Sequence, residues 1–165
     1  MTDLTMLFRA GEAELLGADP LTMRLLADGD DTGGVVSAIR SRMGRATDGP
    51  PPHHHTRAPE MFFLVEGGLH VLVGDRIVTA REGDFLVVPE HTAHTFRTPD
   101  DTGVDMLFLM PGARRFDYFR LVDRIRRGEA SPRELFETQE RFDNHFTDSA
   151  VWREFTGSPA TGGPP

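Results

Sequence analysis

The residues able to do chemistry are concentrated in two short stretches, Pro51-Pro52-His53-His54-His55-Thr56-Arg57-Ala58-Pro59-Glu60 and, further along, Pro89-Glu90-His91-Thr92-Ala93-His94. On an extended strand, residues two apart project to the same face, so His53 and His55 can converge on one ion while His54 points away. Glu60 has the wrong parity for the same straight strand. It joins them only through a turn or bulge in Thr56 to Pro59, where Pro59 cannot donate a ladder hydrogen bond. His94 comes from a separate strand entered through the Pro89 loop. Three imidazoles and a carboxylate suit one divalent transition metal, Fe, Ni, Co, Mn, Cu or Zn, and affinity order does not choose among these. The chain has no cysteine, which excludes thiolate ligands, thiolate nucleophiles and disulfides together. A solvated His-His-His turn gives no reason for Glu60 and His94 to stand at these offsets.

These side chains need strands to aim them. Thr5 to Arg9, Leu21 to Leu26 and Gly34 to Met43 read as strands separated by Gly, Asp and Thr clusters. From Met61 the runs MFFLVEGG, LHVLVGD, RIVTAREGD and FLVVPE, punctuated by Gly67-Gly68, Gly74-Asp75 and Gly83-Asp84, read as an antiparallel meander. VDMLFLMPG supplies a further strand. Short strands at this spacing predict a sandwich or barrel. Beyond Pro111 the period changes. Phe116, Phe119, Val122 and Ile125 recur every third residue, predicting a helix over Arg115 to Arg127 that packs on the barrel or on a partner subunit. Ser131-Pro132-Arg133-Glu134 carries a capping-box pattern, predicting a second helix to about Asp143. His70 and His145 read as surface or packing residues.

At 165 residues the chain fits a single domain that needs no disulfide staple. Its net charge of -8 disfavours phosphate backbones and anionic membrane surfaces. Arg124, Arg126 and Arg127 form the nearest basic patch, and acidic residues surround them. No run approaches the roughly 20 apolar residues of a membrane span, and the first residues lack a basic start followed by an apolar run. The expectation is therefore a cytoplasmic protein with no nucleic-acid or membrane partner. The C-terminal region also lacks a convincing DNA-binding helix pair.

In its motifs the sequence resembles the cupin superfamily. The first cupin motif, HxH followed by Glu and then Gly, is matched by His53, His55, Glu60 and Gly67. The second, with Gly, Pro, Gly and His in order, is matched by Gly83, Pro89 and His94. His91 stands where the family usually has Gly, Thr98 where it often has Asn, and Pro50-Pro51-Pro52 precede the first motif. The resemblance implies an all-β double-stranded β-helix, or jelly-roll barrel, with a C-terminal helical extension. It divides the chain into a barrel over 1–113, an extension packed on it over 114–157, and a disordered tail over 158–165.

The same resemblance implies that His53, His55, Glu60 and His94 hold the metal, with Glu60 alternating between ligand and proton acceptor as the catalytic residue. Parity from Glu60 points Phe62 and Leu64 inward, and parity from His94 points Phe96 inward, giving an apolar, partly aromatic substrate pocket. His91 is read as facing solvent, with a ligand-supporting or substrate-contacting place in this candidate pocket as the alternative. Small single-domain cupins of the quercetin-dioxygenase-like type are most similar. They imply a dioxygenase that uses dioxygen to oxidise or cleave a small metal-chelating aromatic or enolic substrate, flavonol-like or polyketide-like. The alternatives are a non-oxidative cyclase, isomerase, lyase or decarboxylase, or a small-molecule-binding regulatory module. Similar cupins pair through an N-terminal strand, which predicts a homodimer with Leu4 to Phe8 near its interface.

Overall fold

Alternating burial organises the N-terminal part of the chain into antiparallel strands in the computed structural model, which describes residues 6–158. They are β1 (Glu14–Ala18), β2 (Leu21–Ala27) and β3 (Val36–Met43). In β2 and β3 every second residue from Met23 and from Ser37 is buried, as a sheet with one face on a core requires. The expected strand at Thr5 to Arg9 does not form: residues 6–9 carry no regular structure, and Thr5 lies outside the described residues. The opening strand is β1 instead. Its sequence ELLGA buries only Leu16, so pairing with β2 across a tight hairpin selects it, not local alternation.

The chain continues with β4 (His53–His54), β5 (Glu60–Val73), β6 (Arg76–Arg81), β7 (Phe85–Val88), β8 (His94–Arg97) and β9 (Val104–Pro111). The expected simple meander is corrected here. MFFLVEGG and LHVLVGD are one strand of 14 residues, β5, which takes part in two sheets. Its first half is flanked by β7 and β9, and β9 leads to β3, β2 and β1. Its second half is flanked by β6 and β8, and β8 leads to β4. Gly67 makes the corner, with φ +82 just beyond a bulge between Leu64 and Glu66. A Cβ there would sit 2.0 Å from the Gly103 carbonyl oxygen, so only glycine fits. Gly67-Gly68 is thus a place where a strand changes sheets, a role that bulges and glycines share with turns. Ile39, Phe62, Leu64, Val71, Met106 and Met110 fill the interior from both halves. The expected all-β jelly-roll barrel is the fold observed.

The C-terminal region is helical and packs on the barrel. α1 (Phe116–Arg126) falls within the expected span, and Phe116 and Phe119 pack against the barrel core. The expected second helix is broken into α2 (Arg133–Glu137) and α3 (Gln139–Phe142). The break is at Thr138, whose hydroxyl donates back to the Glu134 carbonyl at 2.6 Å and competes with the helical ladder. β10 (His145–Phe146) then pairs with β4. α4 (Ala150–Thr156) ends the described chain, with the Ser149 hydroxyl accepting from the Trp152 N–H at 3.2 Å. The expected disordered tail lies outside the described residues after Ser158, as do Leu4 and Thr5 of the expected dimer strand. Met6, Leu7 and Phe8 are exposed. No helix among the described residues is long and apolar enough to cross a membrane.

Candidate metal centre

The two halves of the barrel meet at four side chains. His53 of β4 pairs directly with His94 of β8, while Glu60 opens β5 opposite Val88. Between them the chain leaves β4 after His54 and turns through residues 55–59, which gives Glu60 the parity that a straight strand denies it. All four residues are buried, with His53 at 3% exposure, His55 at 2%, Glu60 at 4% and His94 at 1%. Their ligand atoms lie within 4.8 Å of one another. Nε2 of both His55 and His94 stands 2.6 Å from Glu60 Oε2, and Nε2 of His53 stands 3.9 Å from it.

The outer edge of each imidazole decides what this cluster can hold. Nδ1 faces a backbone carbonyl in all three: Pro51 for His53 at 2.9 Å, Asp143 for His55 at 2.5 Å, and Thr92 for His94 at 2.9 Å. A carbonyl oxygen only accepts, so each Nδ1 carries the proton and each neutral ring turns its Nε2 lone pair inward. Three nitrogen lone pairs and a carboxylate then point at one another in a dry site, which demands either extra protons or a metal cation. The set fits a nitrogen- and oxygen-preferring divalent transition metal. In the protein by itself, burial holds the His53 imidazole well below its ordinary pKa, and positive charge on His94 adds to this. Burial also opposes charge on His94, yet the Glu60 carboxylate and its hydrogen bond override it and raise His94. Glu60 lies well below the usual carboxylate range because His94 and His55 outweigh its own burial.

Support comes from the C-terminal extension, where the sequence reading placed no functional residue. Asp143 adopts the left-handed conformation, φ 50, and its carbonyl accepts from His55. Its carboxylate accepts from the Thr56 N–H at 3.0 Å, the Thr56 hydroxyl at 2.6 Å and the Arg57 N–H at 2.8 Å, pinning the turn between the first ligands and Glu60. An Asp-Asn pair closing a helical run is the one local signal for such a left-handed residue. Thr98, in place of the family's Asn, is fully buried, donates to the Gly44 carbonyl at 2.6 Å and accepts from the Thr47 N–H at 2.8 Å.

The centre opens on a cavity of about 330 Å³. Phe62 and Phe96 line it together with Met23, Met106, Phe108, Phe119, Val122 and Ile125, and His53 and Glu60 reach it from the metal side. Two residues considered for the pocket do not line it. Leu64 is fully buried in the barrel core and does not line the cavity. His91 is exposed at φ 61, where its N–H donates to the His55 carbonyl at 2.6 Å; the left-handed backbone accounts for the glycine usual at this position. The cavity also holds polar groups that the sequence reading missed: Arg115, Tyr118 and Asn144. Burial pushes the Tyr118 phenol up to about 12, so it remains a protonated donor.

Residues 42–110 match the cupin domain family. Among solved structures the chain is similar to KdgF from Halomonas sp., at 21% identity and a TM-score of 0.56, covering 69% of this chain and 98% of that one. An RmlC-like cupin from Shewanella frigidimarina shows 23% identity and a TM-score of 0.56, covering 69% and 96%. The polyketide cyclase RemF from Streptomyces resistomycificus shows 19% identity and a TM-score of 0.55, covering 67% and 82%. At these identities the likeness is one of fold. No curated protein matches the sequence.

Proposed function

We propose, for a chain that belongs to the cupin superfamily, that His53, His55, Glu60 and His94 hold one divalent transition metal. On this reading the protein is an oxygenase acting on a small, flat, metal-chelating aromatic or enolic substrate, with dioxygen as co-substrate. The observation that carries the reading is a buried cluster of three inward Nε2 lone pairs and one carboxylate, which reaches an aromatic-lined cavity through His53 and Glu60. When bound, such an ion supplies a Lewis acid that orients a chelating pair of substrate oxygens and, if redox-active, an electron path to dioxygen.

The chain's own residues account for the rest. Phe62, Phe96 and Phe108 stand edge to face, with ring centroids 5.5 and 6.0 Å apart, and offer an apolar surface to a flat substrate. The helix α1 side chains Phe119, Val122 and Ile125 add further apolar surface to the cavity wall. Glu60 is ionised and, reaching the cavity wall, is the carboxylate placed beside the proton that the substrate hydroxyl loses. Tyr118 stays protonated and donates to a substrate oxygen. A second reading, non-oxidative cyclisation or elimination, draws on the same Tyr118 and Arg115 as proton donor and charge stabiliser, and RemF is a polyketide cyclase of similar fold.

The test is elemental analysis of protein purified without an affinity tag, followed by oxygen uptake on flavonols, catechols and enolic polyketides with each reconstituted metal. Near-stoichiometric metal and substrate-dependent oxygen consumption are expected. Bound metal with product formation and no oxygen uptake would replace the oxygenase by the non-oxidative reading. Failure to bind any metal would leave a binding module.

A further inference from the structure

The metal centre leaves Arg115 unexplained. The residue stands just before α1 and is 2% exposed. One of its terminal nitrogens donates to the Phe142 carbonyl at 2.5 Å, the other to Asn144 Oδ1 at 3.4 Å, and its guanidinium lies 4.5 Å from the centroid of the Tyr118 ring. None of these partners is an anion. Arg115 Nε and Asn144 Nδ2 are both buried without any acceptor, and both residues line the cavity beside Glu60 and His53.

The carboxylates that act on Arg115 through space are Glu60, Asp143 and Asp28, and each is engaged elsewhere. Glu60 Oε2 is packed against Nε2 of His55 and of His94 at 2.6 Å within the candidate metal centre, and Asp143 accepts from Thr56 and Arg57. Asp28 accepts from Ser37 and Gly29, and from the Arg115 backbone N–H rather than its side chain. A buried cation without a paired anion is costly, as are buried donors without acceptors. Adding a divalent ion beside Glu60 leaves the cavity with more positive charge still uncompensated.

We propose that Arg115 and Asn144 form an oxyanion subsite, so that the substrate enters as an anion carrying a carboxylate, enolate or phenolate oxygen on a flat skeleton. The planar guanidinium and the amide donor, both buried, suit such an oxygen. The inference takes the substrate's location from the reading above. It does not depend on which reaction follows.

A matched pair of probes tests it: 1-hydroxy-2-naphthoate and 1-hydroxy-2-naphthamide, of nearly equal size and both chelating, differing in charge. Binding is titrated by probe fluorescence in chelator-stripped and in metal-loaded protein, with metal content measured in parallel. The wild type is expected to prefer the naphthoate by about ten- to a hundred-fold, the range of a charge-assisted hydrogen bond. The preference persists in stripped protein, because Arg115 supplies it. Arg115→Gln and Asn144→Asp are each expected to bring the ratio near one. Asn144→Asp also repels an anion by its own charge, so Asn144→Leu, which removes the amide donor and adds no charge, decides the matter where Arg115→Gln does not fold. A purely structural pair would leave the ratio unchanged in Asn144→Leu. That result, or a wild-type ratio near one in stripped protein, overturns the subsite. Loss of metal uptake with the preference intact would overturn only the metal reading.

Discussion

Asp105 and Arg115 are both buried charged residues beside a cavity, and their surroundings follow opposite rules. Asp105 on β9 accepts from Arg40 at 2.8 and 2.7 Å and from Arg42 at 2.8 Å, and Arg40 foremost holds its carboxyl below the usual range. The depression beside it, about 850 Å³, is larger than the one at the metal centre, and Arg24, Arg40, Arg42 and Glu66 line it. Asp105 already has its partners, so that depression has no buried charge awaiting a ligand. The smaller cavity is lined by inward lone pairs on His53, a cationic Arg115 with no carboxylate partner, and an Asn144 amide with no acceptor. Unsatisfied chemistry, not volume, separates a site from a fold clamp.

The largest effect that can sharpen this contrast is ligand loss. His53→Ala and His94→Ala are each expected to lower metal affinity by more than about a hundred-fold, beyond what loss of an outer hydrogen-bond partner does. The barrel should stay folded by circular dichroism, and full metal occupancy in both variants would reject the ligand assignment. Next comes Asp143→Ala, which frees the Thr56 and Arg57 N–H groups that hold the ligand turn; metal affinity should fall by about 10–100-fold by competition with a chelating dye. An unchanged affinity would reduce Asp143 to a surface cap. Asp105→Asn should behave in the opposite way. Arg40 and Arg42 are partly or largely exposed, so the loss is only about 1–2 kcal/mol in urea unfolding, with metal binding untouched.

The pH dependence of the metal-free protein depends on two imidazoles of opposite sign. His53 is depressed, so below about 6.5 the unfolded chain binds a proton that the folded chain refuses, and stability falls towards acid. His94 is raised, so its contribution is complete below about 6.5 and is lost as pH rises through its folded value. Glu60, depressed, adds a further loss at the acid end. Stability without metal should therefore peak near about 6.5, and bound metal should remove the alkaline fall. A monotonic profile in stripped protein would contradict this assignment. The smallest effect is expected far from either region: Ser149→Ala removes the cap of α4 and should cost about 1 kcal/mol without altering metal binding.

Much of the site was legible in the sequence because its signals are local. Strand parity separated His53 and His55 from His54, and Pro59 marked the break that brings Glu60 into line. Parity likewise aimed Phe62 and Phe96 at the cavity, but it could not say how deep each inward residue lies. Leu64 shares the face of Phe62 and is closed off by the core. Gly67-Gly68 was read as a turn because a glycine pair looks the same at a hairpin and at a corner between sheets. His91 faces solvent, the placement favoured for it, but sequence spacing does not reveal that its backbone is left-handed.

What the sequence determined by itself is therefore the candidate ligand set and the strand faces, which follow from side-chain type and short-range periodicity, while the jelly-roll class came from the resemblance to cupins. Only the tertiary structure decided which residues complete the centre. His55 and Asp143 are 88 residues apart, and Arg115, Tyr118 and Asn144 reach the cavity only because α1 and the chain after α3 fold back onto the barrel mouth. No local period encodes that return, because it is set by burial of Phe116, Phe119 and Phe142 against surfaces far away in the chain.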